Sequence, residues 1–183
     1  MRIIGGEWGG RKINPPANMP HTRPTTDIAR EGLFNIITNN LDLTECTTLD
    51  LFGGTGSISY ELASRGASQL TIVEKDHTMF EFIKKTSVSL GMKNLTMLKM
   101  DVFRFMEQAT TDFDLIFAGP PYALTNIDEL PRIIFKNKLL KKGGWFILEH
   151  TPRNDYKKYE GYRTERKYGT TIFSIFINSG NEE

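Results

Sequence analysis

The chain has 183 residues, about the length of one domain, so a large multidomain machine is excluded. With 39% hydrophobic and 25% charged residues, and no apolar run near the roughly 18 residues of a spanning helix, the composition excludes both a disordered chain and a membrane-embedded one. The formal net charge of +1 gives no overall field that argues for nucleic acid. Residues 1–30, however, carry Arg2, Arg11, Lys12, Arg23 and Arg30 against only Glu7 and Asp27. That local surplus reads equally as a phosphate-contacting patch or as a solvated face.

In chain order, residues 1–13 combine Ile3, Ile4, Trp8 and Ile13 with four glycines, the pattern of a short irregular hairpin. Asn14 to Pro24 holds four prolines and no periodicity, so it reads as a linker. These two stretches make residues 1–24 a small appendage to a main domain over 25–183. Thr25-Thr26-Asp27 supplies a helix cap, and Ala29, Leu33, Ile36 and Ile37 follow as an amphipathic stripe that runs to Asn39-Asn40. From Thr47 the chain alternates apolar strands (TTLDLF, QLTIVE, NLTMLKM, FDLIFA, GWFILEH) with helical segments at Ser57–Arg65, 76–90, 102–108 and roughly 127–140. That rhythm predicts an α/β fold with a parallel, doubly wound sheet. YRTERKYG and TIFSIFIN are joined only by a tight turn and must pair antiparallel, which gives seven strands closed by a hairpin.

The first strand runs into Asp50-Leu51-Phe52-Gly53-Gly54-Thr55-Gly56, a glycine-rich strand-to-helix turn at which a ligand can approach the backbone. A dinucleotide fingerprint needs a third glycine where Ser59 stands, and no Walker lysine is present. Glu74 closes the second strand at the spacing from which a carboxylate accepts ribose hydroxyls, and Asp101 follows the third. The fourth strand leads into Gly119-Pro120-Pro121-Tyr122, where the proline pair removes two N–H donors and a ring follows, a setting suited to a flat heterocycle with an exocyclic amine. His21, His77 and His150 show no ligand spacing, and the single Cys46 excludes both a cysteine zinc site and an intrachain disulfide. No metal is therefore expected. The opening MRIIGGEWGGRK has no apolar signal-peptide core, so the expected compartment is the cytoplasm.

DLFGGTG, TIVEKD, Asp101 and IFAGPPY resemble the motifs of Rossmann-like class I S-adenosylmethionine-dependent methyltransferases that act on amines. RIIGGEWGGRKI and RPTTDIAREGLFNII are similar to the bacterial RsmD family, the 16S rRNA guanine-N2 methyltransferases, and the similarity spans nearly the whole chain. The resemblance implies S-adenosylmethionine as cofactor, held by Asp50, Phe52, Gly53, Gly54, Gly56, Glu74, Lys75, Asp101 and Val102. It implies chemistry at Gly119, Pro120, Pro121 and Tyr122, and 16S rRNA, the small ribosomal subunit or its assembly intermediate as partner, touched by Arg2, Arg11, Lys12, Arg23 and Tyr122. One departure matters. The family's fourth motif usually opens on Asp or Asn, and here Gly119 stands there, leaving the Pro120 carbonyl to orient the amine. Either Asn126 or Asp128 substitutes for it, or Gly119 is a one-base variant, or the chain is a non-catalytic RNA-binding or assembly protein on the same scaffold. If the fourth motif simply lacks its side-chain acceptor, restoring an acid by Gly119→Asp raises methyl transfer. A nicotinamide oxidoreductase is the rival outside the class, but no tyrosine has lysine four residues later.

Overall fold

The computed structural model describes residues 1–17 and 24–180. Seven strands form one sheet: β1 (Thr47–Leu51), β2 (Gln69–Val73), β3 (Leu95–Leu98), β4 (Phe113–Ala118), β5 (Leu140–His150), β6 (Tyr162–Tyr168) and β7 (Thr171–Ile177). Their spatial order is β3-β2-β1-β4-β5-β7-β6, with β7 antiparallel to both its neighbours and every other pairing parallel. The chain therefore lays strands outward from β1 on one side and then returns to β4 on the other. A crevice opens at the carboxyl ends where the direction reverses, the usual ligand position in such sheets.

Among the described residues five α-helices accompany the sheet: α1 (Asp27–Asn40), α2 (Ser57–Ser64), α3 (His77–Leu90), α4 (Val102–Gln108) and α5 (Glu129–Lys136), with a short 3-10 turn at Leu43–Glu45. Local chemistry sets their starts. Thr26, Asp76 and Asp101 each accept from the first-turn N–H groups of α1, α3 and α4. The last helix is shorter than its apolar pattern predicts, because Lys138 takes φ +53° just after the Asn137 cap and β5 already begins at Leu140. Both faces of the sheet are covered, so strands bury alternate residues into opposite cores: Leu115 and Phe117 pack with α1, α2 and α3, while Ile116 and Ala118 pack with α4 and α5. Among the described residues no helix is long and apolar enough to cross a membrane.

The N-terminal hairpin is docked on the domain. One bridge joins Arg2 to Lys12, and Ile3 and Ile13 are buried in the same core as Leu33 and Leu62. The fully buried carboxylate of Glu61 on α2 accepts the N–H groups of Ile4 (2.5 Å) and Gly5 (3.2 Å), and it pairs with Arg65 (2.9 Å) and Arg30 (3.5 Å). Gly6 completes the join. At φ +78° a Cβ there would fall 2.1 Å from the Ser64 carbonyl oxygen, so glycine alone fits.

Candidate active site

The carboxyl ends of β1, β2, β3 and β4 surround a cavity of about 520 Å³. Its floor is the turn after β1. Phe52 takes φ +62°, a conformation that a bulky residue rarely adopts and that tends to mark ligand-binding turns. Gly56, at φ +84°, caps α2 where any Cβ would enter the Tyr60 ring. Glu74 spans this turn: its Oε1 accepts the Gly54 N–H at 2.8 Å and its Oε2 accepts the Asp76 N–H at 2.9 Å. A carboxylate has about four acceptor positions, so holding the turn leaves capacity for ligand hydroxyls.

Asp50 lies at the base of this cavity. Its side chain is 1% exposed; Oδ2 accepts from the Ser59 hydroxyl at 2.5 Å, while Oδ1 is buried with no partner. Burial pushes its carboxyl well above the ordinary range, against the Ser59 hydrogen bond and with the charges of Glu74 and Glu149 adding to the rise. A buried acceptor of this kind is costly unless something cationic or N–H-bearing meets it.

The structure brings Asp50, Phe52, Gly53, Gly54, Glu74, Lys75, Asp101, Val102, Gly119, Pro120 and Pro121 into the lining of this one cavity, whereas Gly56, expected with them, does not line it and serves as the α2 cap. Asp101 also works as the α4 cap, accepting from Phe103 N–H (2.9 Å) and Arg104 N–H (3.2 Å). Tyr122 is 64% exposed and lines a second cavity instead, about 690 Å³, together with His150, Thr151, Arg153 and Asn154. Arg2, Arg11 and Lys12 are exposed on the docked hairpin and line neither cavity; Arg23 lies outside the described residues. Asp128 also lines neither. Its Oδ1 is taken by the Tyr156 hydroxyl at 2.8 Å and Asn154 Nδ2 at 3.4 Å, and so it does not stand in for a side chain at 119.

Sequence reasoning passed over three contributors. Thr25 lines the first cavity and donates from Oγ1 to Glu149 Oε1 at 2.9 Å. Glu149 itself, 8% exposed near the end of β5, lines both cavities. The rule that singled out Glu74 and Asp101, an acid at the carboxyl end of a parallel strand, also selects Glu149. His150 is the third. Its Nδ1 lies 2.9 Å from the Thr151 carbonyl and its Nε2 2.7 Å from Ser174 Oγ, and burial lowers its pKa, so it is a neutral ring fixed in place beside the second cavity.

A parallel sheet reversing at β1 and β4, closed by an antiparallel strand next to β5, with acids on successive strand ends around one cavity, is the Rossmann-like fold of class I methyltransferases. The solved Escherichia coli protein yhhF superposes with a TM-score of 0.85 at 25% identity, covering 99% of each chain. The family model described as Conserved hypothetical protein 95 matches residues 1–177. Ribosomal RNA small subunit methyltransferase D of Escherichia coli K12 is 33% identical over 149 residues, 81% of this chain and 71% of that one. The protein of the same name from Buchnera aphidicola subsp. Baizongia pistaciae is 28% identical over 189 residues, 99% of this chain and 93% of that one. The chain belongs to this family, that of the RsmD-type methyltransferases.

Proposed function

We propose that the protein transfers a methyl group from S-adenosylmethionine to the exocyclic N2 amine of a guanine in 16S rRNA, within the small ribosomal subunit or its assembly intermediate, and that it does so in the cytoplasm. The observation that carries the reading is the meeting of two cavities at Pro120, Pro121, Leu124 and Glu149. One sits where α/β sheets hold nucleotides, and the other opens outward past an exposed tyrosine.

The cofactor's groups match the chain's. The unpartnered Asp50 Oδ1 suits an ammonium group, Glu74 has acceptor capacity for hydroxyls, and Met79, Met100, Val102 and Phe103 give apolar walls for a flat ring. Bound there, S-adenosylmethionine supplies an electrophilic methyl group on a sulfonium. The chain's own residues do the rest. The Gly53–Gly56 turn admits the ligand close to backbone, Glu74 holds that turn, and Tyr122 offers a face on which an extruded base stacks. The Pro121 carbonyl accepts the Leu124 N–H at 3.0 Å and so stiffens the loop that carries the ring. The hairpin's exposed cations, Arg2 (which also pairs with Asp27 at 3.3 Å), Arg11 and Lys12, are on this reading the groups that meet phosphates. Met1 Sδ lies 3.9 Å from Thr55 Oγ1 in the ligand turn, which ties that hairpin to the cavity rim.

Gly119 favours one second reading, a scaffold that binds RNA without turnover. The deciding experiment incubates the protein with methyl-labelled S-adenosylmethionine and small-subunit particles lacking the modification, then maps the label by nuclease digestion. Label on guanine N2 is the expected result. Particle binding with no label transfer supports the scaffold, and label on another base refutes the guanine assignment.

A further inference from the structure

Gly119 leaves a gap in the sequence motif, but the structure fills the corresponding space. A Cβ built on Gly119 falls 2.9 Å from Glu149 Oε2 and 3.1 Å from Phe117 Cε1, so a neighbouring carboxylate already occupies the volume that a side chain at 119 needs. The register explains the proximity. Ala118 pairs with Leu148 in the parallel ladder between β4 and β5, which brings the next residues of the two strands side by side at the crevice. Glu149 is held there by burial and by its bond from Thr25 Oγ1. Of the four residues shared by the two cavities, Pro120, Pro121, Leu124 and Glu149, it alone has an ionisable side chain.

An exocyclic amine on an aromatic base delocalises its lone pair into the ring and attacks poorly until an acceptor engages its N–H. We propose, resting on the methyl-transfer reading above, that the Glu149 carboxylate is that acceptor, supplied from β5 in place of a side chain at position 119. As the nitrogen lone pair forms its bond to the methyl carbon, the carbon–sulfur bond breaks and its electrons go to sulfur. The electrons of the N–H bond return to nitrogen as its proton passes to Glu149. A secondary amine, a neutral thioether and a protonated carboxyl result, and solvent takes the proton after product leaves. The other nearby candidates fit less well by position: Asp128 lines neither cavity, and Asn126 lines the first cavity only.

The test is a carboxylate swap read on small-subunit particles, with cofactor affinity by calorimetry and Tm alongside. Glu149→Gln keeps the shape and loses the proton acceptor, so kcat falls about 10²-fold or more while cofactor Kd and Tm stay close to those of the unmodified protein. Gly119→Asp alone lowers both kcat and Tm, because its Cβ crowds Glu149 and two carboxylates then share one site. Gly119→Asp combined with Glu149→Ala recovers Tm and regains at least about 10-fold in kcat over Glu149→Ala alone, part of the acceptor's contribution. A purely structural Glu149 predicts no such rescue. Full turnover in Glu149→Gln, or a gain from Gly119→Asp with Glu149 in place, overturns the proposal alone. Absence of transfer by the unmodified protein overturns the methyltransferase reading and the proposal together.

Discussion

Asp50→Asn separates the cost of a buried carboxylate from its use. The substitution keeps the shape and an acceptor for the Ser59 hydroxyl but removes a charge at a site 1% exposed. A charge-assisted hydrogen bond between a buried carboxylate and an ammonium contributes about 1.5–3 kcal/mol, so S-adenosylmethionine affinity should fall roughly 10- to 150-fold. Ligand-free stability moves the other way. Burial raises the Asp50 pKa in the fold above its unfolded value, so its contribution to stability is fully present below the unfolded pKa and is lost as pH rises through the folded one. Asparagine does not titrate, and the ligand-free variant should therefore melt at the same temperature or higher than the parent, with the gap widening as pH rises. A cation beside Asp50 lowers that raised pKa again, so cofactor binding should release a proton in the pH window where the ligand-free carboxyl is protonated. Calorimetry in two buffers of different ionisation enthalpy measures the release, which should vanish in the variant. An unchanged Kd together with unchanged proton release would show that Asp50 meets no cation, and the fit of the cavity to an ammonium-bearing ligand would be wrong.

Two further outcomes concern the hairpin. Glu61→Ala strips the acceptor from the Ile4 and Gly5 N–H groups and leaves the 1% exposed Arg30 short of a buried partner; breaking such a pair costs about 3–5 kcal/mol, seen as a Tm drop of about 6 °C or more, whereas a loss under about 1 kcal/mol in urea unfolding would mean the hairpin is not docked there. Neutralising Arg11 and Lys12 together should weaken RNA binding and flatten its salt dependence by up to about two units of slope with cofactor affinity unchanged, and an unaltered slope would make them a solvated face.

Most of the architecture is legible without coordinates because its signals are local. Caps at Thr26, Asp76 and Asp101 act on N–H groups two or three residues on, and the two-residue turn between β6 and β7 joins strands adjacent in sequence, so their pairing with each other must be antiparallel. The ligand edge is legible for a related reason: alternating strands and helices force the sheet to be parallel, and a parallel sheet puts Glu74, Asp101 and the turn after Asp50 on the same side. The extent of α5 and the start of β5 were less so, since the apolar pattern continues through a boundary that the positive φ at Lys138 imposes. What only the tertiary structure decided are contacts between residues far apart in sequence. Glu61 gathers the hairpin and Arg30 from across the N-terminal third of the chain, and Thr25 reaches Glu149, 124 residues away. The space beside Gly119 belongs to that class. Whether a missing side chain there is a gap or room made for another depends on which strand lies next to β4 and in what register, and nothing within a few residues of Gly119 carries that information, because strand adjacency is settled by packing of the whole sheet.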